Sequence, residues 1–232
     1  MAALSPLPFR TIAFDLDGTL ADTAPDIAAG LNRMLAALGR DPLAQDAIRD
    51  LVGGGARSLV QRALHVTGGA PEGLVDQGLP MYLDFYAQNV CVGTQPYPGV
   101  EAALDALAAE GIALALCTNK VEHLTHSLVE ALGWQGRFTS VVGGDTLPTR
   151  KPEPAMLHEA ITRAGGGPAV FVGDSITDAD TARAAGLPFV AVSFGYSDRP
   201  VEAMGADAVI DSFSGLHAAL RHLAERKVFT SR

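Results

Sequence analysis

The chain has 232 residues, of which 48% are hydrophobic and 19% are charged, and its formal net charge is −9. This length and composition predict a globular protein of one large or two small domains, with enough chain to bury a core that needs no structural metal. The negative charge argues against nucleic acids and anionic membranes as partners, and it means that an anionic substrate would require locally placed positive charge.

The first part of the chain is predicted to contain one strand and a helical block. The strand covers residues 11–15. Apolar residues at helical spacing, separated by glycine-rich breaks, then predict helices over 25–38, 42–51, 57–66 and 71–90. Residues 21–91 are therefore predicted to form an all-helical block.

In the second half of the chain, helices alternate with apolar strands. Strands are predicted at 112–117, 139–142, 169–172, 189–192 and 208–210, and helices at 99–110, 120–132, 154–164, 176–185 and 216–226. This alternation is typical of a doubly wound, Rossmann-like parallel α/β sheet. Because the first strand belongs with the later ones, we expect a core of residues 1–20 and 92–232, with residues 21–91 inserted as a separate domain.

Cysteine usage and the N-terminus favour a cytoplasmic protein. Cys91 and Cys117 are far apart and show no metal-like spacing, which fits a reducing compartment. The N-terminus shows neither the basic nor the long apolar segment of a signal peptide. No apolar run is long enough to span a membrane, and the sequence gives no indication of oligomeric state.

Two acids follow the first strand. Asp15 and Asp17 are two residues apart, so they leave the strand end on the same side, and Gly18 lets the chain turn away tightly. Such close carboxylates repel unless a divalent cation lies between them or one stays protonated. Since open α/β folds bind ligands at the carboxyl edge of the sheet, the pair predicts a site there. The alternative is an ordinary aspartate-rich turn.

Three later stretches place polar residues at similar positions. Thr118 and Asn119 end an apolar strand and suit a phosphate cradle, although taken alone they are more simply helix caps. Lys151 precedes a helix and offers charge to an anion, or it is a surface lysine. Asp174 ends another strand and Asp178 lies one helical turn further on, which suggests a hard cation bound by oxygens; a capping role for Asp174 is the alternative.

The order and spacing of these stretches resemble the four motifs of the haloacid dehalogenase superfamily. The matching strings are Asp15-Leu16-Asp17-Gly18-Thr19-Leu20, Thr118-Asn119-Lys120, Lys151-Pro152-Glu153-Pro154 and Gly173-Asp174-Ser175. With Leu51-Val52-Gly53-Gly54-Gly55-Ala56 in the helical block, the chain is similar to the phosphoglycolate phosphatase subgroup. The helical block resembles the cap domain of that superfamily.

The resemblance implies an Mg²⁺-dependent phosphatase that acts on a small phosphate monoester, with 2-phosphoglycolate as the expected substrate. Asp15 is then the nucleophile that forms an aspartyl phosphate, and Asp17 is first the general acid and then the general base. Mg²⁺ is held by Asp15, the backbone carbonyl of Asp17 and Asp174. Asp178 supports the metal waters or Lys151.

The remaining implied residues hold the substrate. Thr118, Asn119 and Lys151 hold the transferring oxygens. The helix that begins near Arg57 offers free N–H groups and a positive dipole end to a small carboxylate, and Arg57 itself is predicted to add a bidentate contact. Alternatively, Arg57 points to solvent.

Other functional classes compete with this prediction. The nearest is a phosphatase of the same superfamily that acts on a sugar phosphate or on pyrophosphate. A dehalogenase needs neither Mg²⁺ nor a second acid, so Asp17 argues against it. A phosphoacceptor signalling domain also uses an Asp, a Thr and a Lys on a doubly wound sheet, but it is usually one compact domain without a helical insertion.

Overall fold

Six parallel strands form the central sheet in the computed structural model, which describes residues 6–197 and 199–230, with side chains through 226. The strands of the described chain are β1 (Thr11–Phe14), β2 (Ala21–Asp22), β3 (Gln95–Pro96), β4 (Ala113–Cys117), β5 (Ser140–Val142), β6 (Ala169–Gly173), β7 (Phe189–Val192) and β8 (Ala208–Ile210). The order in the sheet is β5-β4-β1-β6-β7-β8, with every pair parallel. This confirms the predicted doubly wound α/β class.

Helices cover both faces of the sheet because side chains alternate along each buried strand. The helices of the helical block are α1 (Ala24–Ala37), α2 (Gln45–Arg49), α3 (Ala56–Val66) and α4 (Leu74–Gln88). The core helices are α5 (Val100–Ala109), α6 (Glu122–Ala131), α7 (Ala155–Arg163), α8 (Ile176–Ala185) and α9 (Leu216–Thr230). Phe14 points to the face packed by α5, α6 and α9, whereas Ala13 points to the face packed by α7 and α8. Residues 201–204 and 213–215 form short 3₁₀ turns. None of the helices in the described part of the chain combines the length and apolar character that a membrane crossing needs.

The helical block has an apolar core of its own. Its buried side chains come mainly from α1, α2, α3 and α4, and include Ile27, Leu31, Ile48 and Tyr82; the cluster also extends to Leu124 of α6. The predicted helices over 42–51 and 71–90 are shorter in the structure, where α4 begins only after Gly73, which adopts φ 80°. The expected division into a core and an inserted domain at residues 21 and 91 stays a prediction.

Short connections tie the two ends of the helical block together. β2 forms the first two residues of the block, which was predicted to be all helical, and it pairs antiparallel with β3, which follows the block. The buried Asp26 carboxylate accepts hydrogen bonds from the backbone N–H groups of Val92, Gly93 and Thr94 at 3.0, 2.8 and 2.8 Å. It also accepts one from the Thr94 hydroxyl at 2.7 Å. Two-residue strands carry no periodicity, so the sequence did not predict this ribbon.

Candidate active site

The carboxyl ends of three neighbouring strands define the site. Asp15 follows β1, Thr118 follows β4 and Asp174 follows β6, the two strands that flank β1. The backbone N–H of Asp15 continues the pairing by donating to the carbonyl of Val172 at 2.9 Å. All three polar side chains are buried. The parallel register therefore brings Thr118 and Asp174 next to Asp15, although each lies about a hundred positions or more from it in the sequence.

Lys151 is the buried cation beside these acids. Its Nζ lies 3.0 Å from Oδ1 of Asp15 and 2.7 Å from Oδ1 of Asp178. Burial by itself would lower the pKa of Lys151, but the two carboxylates raise that pKa above its ordinary value. Lys151 therefore stays charged throughout the physiological range.

Asp15, Asp174 and Asp178 form a buried acidic cluster whose carboxylate oxygens lie within 4.8 Å of one another. Burial, together with the neighbouring acids, raises the pKa of Asp15 to about 6 and that of Asp174 to about 8. Oδ1 of Asp15 has no aligned hydrogen-bond donor among the described residues, although Lys151 is in ionic contact with it. An excess of buried carboxylates and one unsatisfied oxygen suit a hard divalent cation.

Asp174 is held in a narrow space at the sheet edge. Oδ1 accepts a hydrogen bond from the Thr19 hydroxyl at 2.6 Å, and Oδ2 accepts one from the backbone N–H of Tyr196 at 2.7 Å. A Cβ atom at Gly18 or Gly195 would collide with the Asp174 side chain, and Gly18 also adopts φ 81°. Glycine at both positions lets two backbone segments approach the carboxylate.

Asp178 connects the start of α8 to Lys151. Its Oδ2 accepts hydrogen bonds from the backbone N–H and the hydroxyl of Ser175 at 3.1 and 2.6 Å, in a capping box. Its Oδ1 faces Lys151. The same carboxylate therefore caps a helix and fixes the lysine.

Asp17 has a different partner from Asp15. The Lys120 Nζ donates to Oδ1 and Oδ2 of Asp17 at 2.9 and 3.2 Å. The Lys120 ammonium also lies 4.5 Å from the centre of the Tyr86 ring on α4, which is a cation–π distance. Sequence reasoning gave Lys120 no role. The available signal was its place directly after Thr118 and Asn119, at a strand end where an anionic substrate would need positive charge.

Asn119 links the core to the helical block. Its Nδ2 donates to the carbonyl of Gly53 at 2.8 Å and to that of Lys151 at 3.1 Å, and its Oδ1 accepts from the N–H of Lys151 at 3.0 Å. These contacts position the chain at Lys151. The predicted direct contact of Asn119 with the transferring oxygens stays a prediction.

A cavity of about 50 Å³ lies between the sheet edge and the helical block. Its lining includes Asp15, Asp17, Thr118, Asn119 and Lys120 from the core, and Gly53, Ala56, Leu59, Tyr82 and Tyr86 from the block. Arg57 is not among the described residues that line it. The Arg57 guanidinium instead forms an ion pair with Asp76, and both side chains are more than half exposed.

The protein combines a doubly wound α/β fold with a buried carboxylate, an acidic cluster and a lysine at the sheet edge. This combination of fold and site defines a class of enzyme. Residues 9–186 match the family model described as haloacid dehalogenase-like hydrolase. The chain belongs to this family.

Similar proteins include several that are named phosphoglycolate phosphatase. The phosphoglycolate phosphatase of Caulobacter vibrioides is 42% identical over 216 residues, covering 92% of this chain and 91% of the relative. That of Mesorhizobium japonicum is 44% identical over 221 residues, covering 94% of this chain and 96% of the relative. The crystal structure of a predicted phosphoglycolate phosphatase from Haemophilus somnus matches with a TM-score of 0.86 at 30% identity, covering 91% of this chain and 97% of that one.

Proposed function

We propose that this chain is an Mg²⁺-dependent phosphatase that hydrolyses 2-phosphoglycolate through an aspartyl phosphate on Asp15. The observation that carries the proposal is the Asp15 carboxylate. It is buried at the sheet edge next to Lys151, and one of its oxygens has no aligned donor among the described residues. The carboxylate also lines the cavity between the sheet edge and the helical block, where a phosphate ester can reach it.

The reaction has two halves. A carboxylate oxygen of Asp15 attacks phosphorus, and the bond from phosphorus to the ester oxygen breaks as Asp17 gives its proton to that oxygen. Asp17 then takes a proton from the water that attacks the aspartyl phosphate, and the bond from phosphorus to Asp15 breaks to release inorganic phosphate. Lys151 and Thr118 hold the phosphoryl oxygens, and Asn119 and Asp178 position Lys151 through the contacts described above.

Mg²⁺ fits the acidic cluster because that cluster has more buried negative charge than Lys151 neutralises. We assign Asp15, the backbone carbonyl of Asp17 and Asp174 as its ligands. The ion would neutralise charge on the phosphoryl group and keep both carboxylates ionised.

Two observations support a small substrate. The relatives from Caulobacter vibrioides and Mesorhizobium japonicum, which are similar over most of the chain, carry the name phosphoglycolate phosphatase. The cavity of about 50 Å³ is narrow, which suits a compact group next to the phosphoryl group. We propose that residues 21–91 act as a cap, which closes this cavity over the substrate and excludes water.

A screen of phosphate esters tests the proposal. The purified protein with Mg²⁺ is assayed on 2-phosphoglycolate, several sugar phosphates and pyrophosphate, with the Asp15→Asn variant as a matched control. We expect the highest kcat/KM on 2-phosphoglycolate and none above background for the variant. A tenfold preference for a sugar phosphate or for pyrophosphate would refute the substrate assignment.

A further inference from the structure

We propose that Lys120 is the specificity-determining residue that binds the carboxylate of the substrate. The inference rests on the proposed function, because it assumes a substrate with a carboxylate next to the scissile ester. It assigns to the end of β4 a role that the sequence had suggested for Arg57 in the helical block.

The charges that line the cavity support Lys120 as the partner of the carboxylate. Among the described residues that line the cavity, Lys120 is the sole cation, and Asp15 and Asp17 are the acids. The Lys120 side chain is about 5% exposed, so its charge is screened little by solvent. A dianionic phosphate that carries a further carboxylate needs a positive partner on the cap side of Asp15, and Lys120 supplies it.

The position of Lys120 next to Asp17 also fits this role. In the proposed reaction Asp17 approaches the ester oxygen of the substrate, and the Lys120 Nζ lies 2.9 Å from Oδ1 of Asp17. In phosphoglycolate a single methylene separates the ester oxygen from the carboxylate. A substrate whose ester oxygen meets Asp17 therefore has its carboxylate within reach of the neighbouring ammonium.

The residues around Lys120 favour the binding of a carboxylate there. The Tyr86 ring holds the ammonium from the side of the helical block, with 4.5 Å between Nζ and the ring centre. Tyr86 lines the cavity, is 1% exposed, and its hydroxyl has no hydrogen-bond partner among the described residues. This hydroxyl is a second donor for a carboxylate. Apolar neighbours such as Leu59 and Leu124 lower the local dielectric, which strengthens an ion pair there.

The test compares two substrates of similar size on wild type and on Lys120→Met. One substrate is 2-phosphoglycolate, and the other is ethyl phosphate, which lacks the carboxylate. We expect kcat/KM of the variant to fall about 10- to 100-fold further on phosphoglycolate than on ethyl phosphate, mainly through KM. Lys120→Gln, which keeps a hydrogen-bond donor near Asp17, should show the same selective loss and serves if the methionine variant does not fold.

Two further variants serve as comparisons. Arg33→Met removes one positive charge from an exposed position on α1 and should leave both activities unchanged. Arg57→Met tests the competing assignment. A selective loss in Arg57→Met without one in the Lys120 variants would overturn the inference.

The possible failures are distinguishable. If wild type prefers phosphoglycolate and the Lys120 variants keep that preference, the inference fails while the proposed function stands. Equal losses on both substrates would make Lys120 only a positioning partner of Asp17, which also overturns the inference. If wild type shows no preference for phosphoglycolate over ethyl phosphate, the proposed substrate fails and the inference fails with it.

Discussion

At the scale of single residues, the site separates two aspartates that are neighbours in the sequence. Both line the cavity, but Asp15 faces Lys151 and the acidic cluster, whereas Asp17 faces Lys120. A nucleophile and a proton carrier need different surroundings, because one must stay ionised and the other must exchange a proton. The two partner lysines, Lys120 shortly after β4 and Lys151 in the segment between β5 and α7, provide that difference.

The first prediction concerns the nucleophile. Asp15→Asn should lower kcat by about 10⁴-fold or more, since an amide cannot form the aspartyl phosphate. It removes one of three clustered carboxylates, so the melting temperature should not fall. Steady-state kinetics and a thermal melt check both expectations. A purified variant that turns over at more than a few per cent of the wild-type rate would show that Asp15 is not the nucleophile.

The second prediction concerns Asp17. Asp17→Asn should slow both halves of the reaction, because the same carboxyl group acts as acid and then as base. Esters with activated leaving groups need less protonation, so with p-nitrophenyl phosphate dephosphorylation should become limiting and a phosphoenzyme should accumulate. Acid quenching followed by mass spectrometry measures it. Equal losses on activated and ordinary esters, without accumulation, would contradict the dual role.

At the scale of elements, the helical block is joined to the core by a clamp. Asp26, in the first turn of α1, accepts hydrogen bonds from three consecutive backbone N–H groups after α4 and from the Thr94 hydroxyl. The β2–β3 ribbon lies beside it. These contacts fix where the block leaves the core and where it returns.

The third prediction tests this clamp. Asp26→Ala leaves its donors unpaired and should lower the free energy of unfolding by about 2–4 kcal/mol. For a chain of this size, the melting temperature should fall by about 5–15 °C. The control is Asp41→Ala, an exposed aspartate of the same block, which should change stability by less than about 0.5 kcal/mol. Similar small effects from both variants would mean that the clamp contributes little.

At the scale of the whole molecule, the acidic cluster links stability to pH and to metal. The pKa values of Asp15 and Asp174 are raised to about 6 and about 8, above their unfolded value near 4. Between about pH 4 and these raised pKa values, the folded protein binds protons that the unfolded chain has released. Their contribution to stability is therefore present at low pH and is lost as the pH rises from about 4 through 6 and 8.

The fourth prediction follows from this linkage. In a chelator, the melting temperature should decrease between pH 5 and pH 8.5, and Mg²⁺ should oppose the decrease because it favours the ionised carboxylates. At a concentration of 100 times Kd, Mg²⁺ should add about 2.7 kcal/mol, or about 5–10 °C. Scanning calorimetry with and without Mg²⁺ measures this effect. Asp174→Asn should remove most of the stabilisation by Mg²⁺, and a variant that Mg²⁺ stabilises as much as wild type would exclude Asp174 as a ligand.

The sequence by itself determined the class of the fold and the acids of the site. Apolar strands and amphipathic helices are local patterns, and their alternation leaves few ways to pack other than a doubly wound sheet. The acid pair was predictable for a similar reason, since residues directly after a strand must lie at its carboxyl end. The helical block was also visible, because its periodicity does not depend on what it packs against.

Only the tertiary structure decided which charges meet. Lys120 and Asp17 are 103 positions apart, and Asn119 reaches Gly53 across 66 positions. The place of Lys120 after Thr118 and Asn119 puts it near the sheet edge, but no local pattern shows that it meets Asp17, or that Arg57 pairs with Asp76 outside the cavity. A buried ion pair depends on two side chains being brought within about 3 Å of each other. For Asp17 and Lys120 that distance is set by the parallel pairing of β1 with β4, and the contact of Asn119 with Gly53 is set by how the helical block packs over the sheet edge.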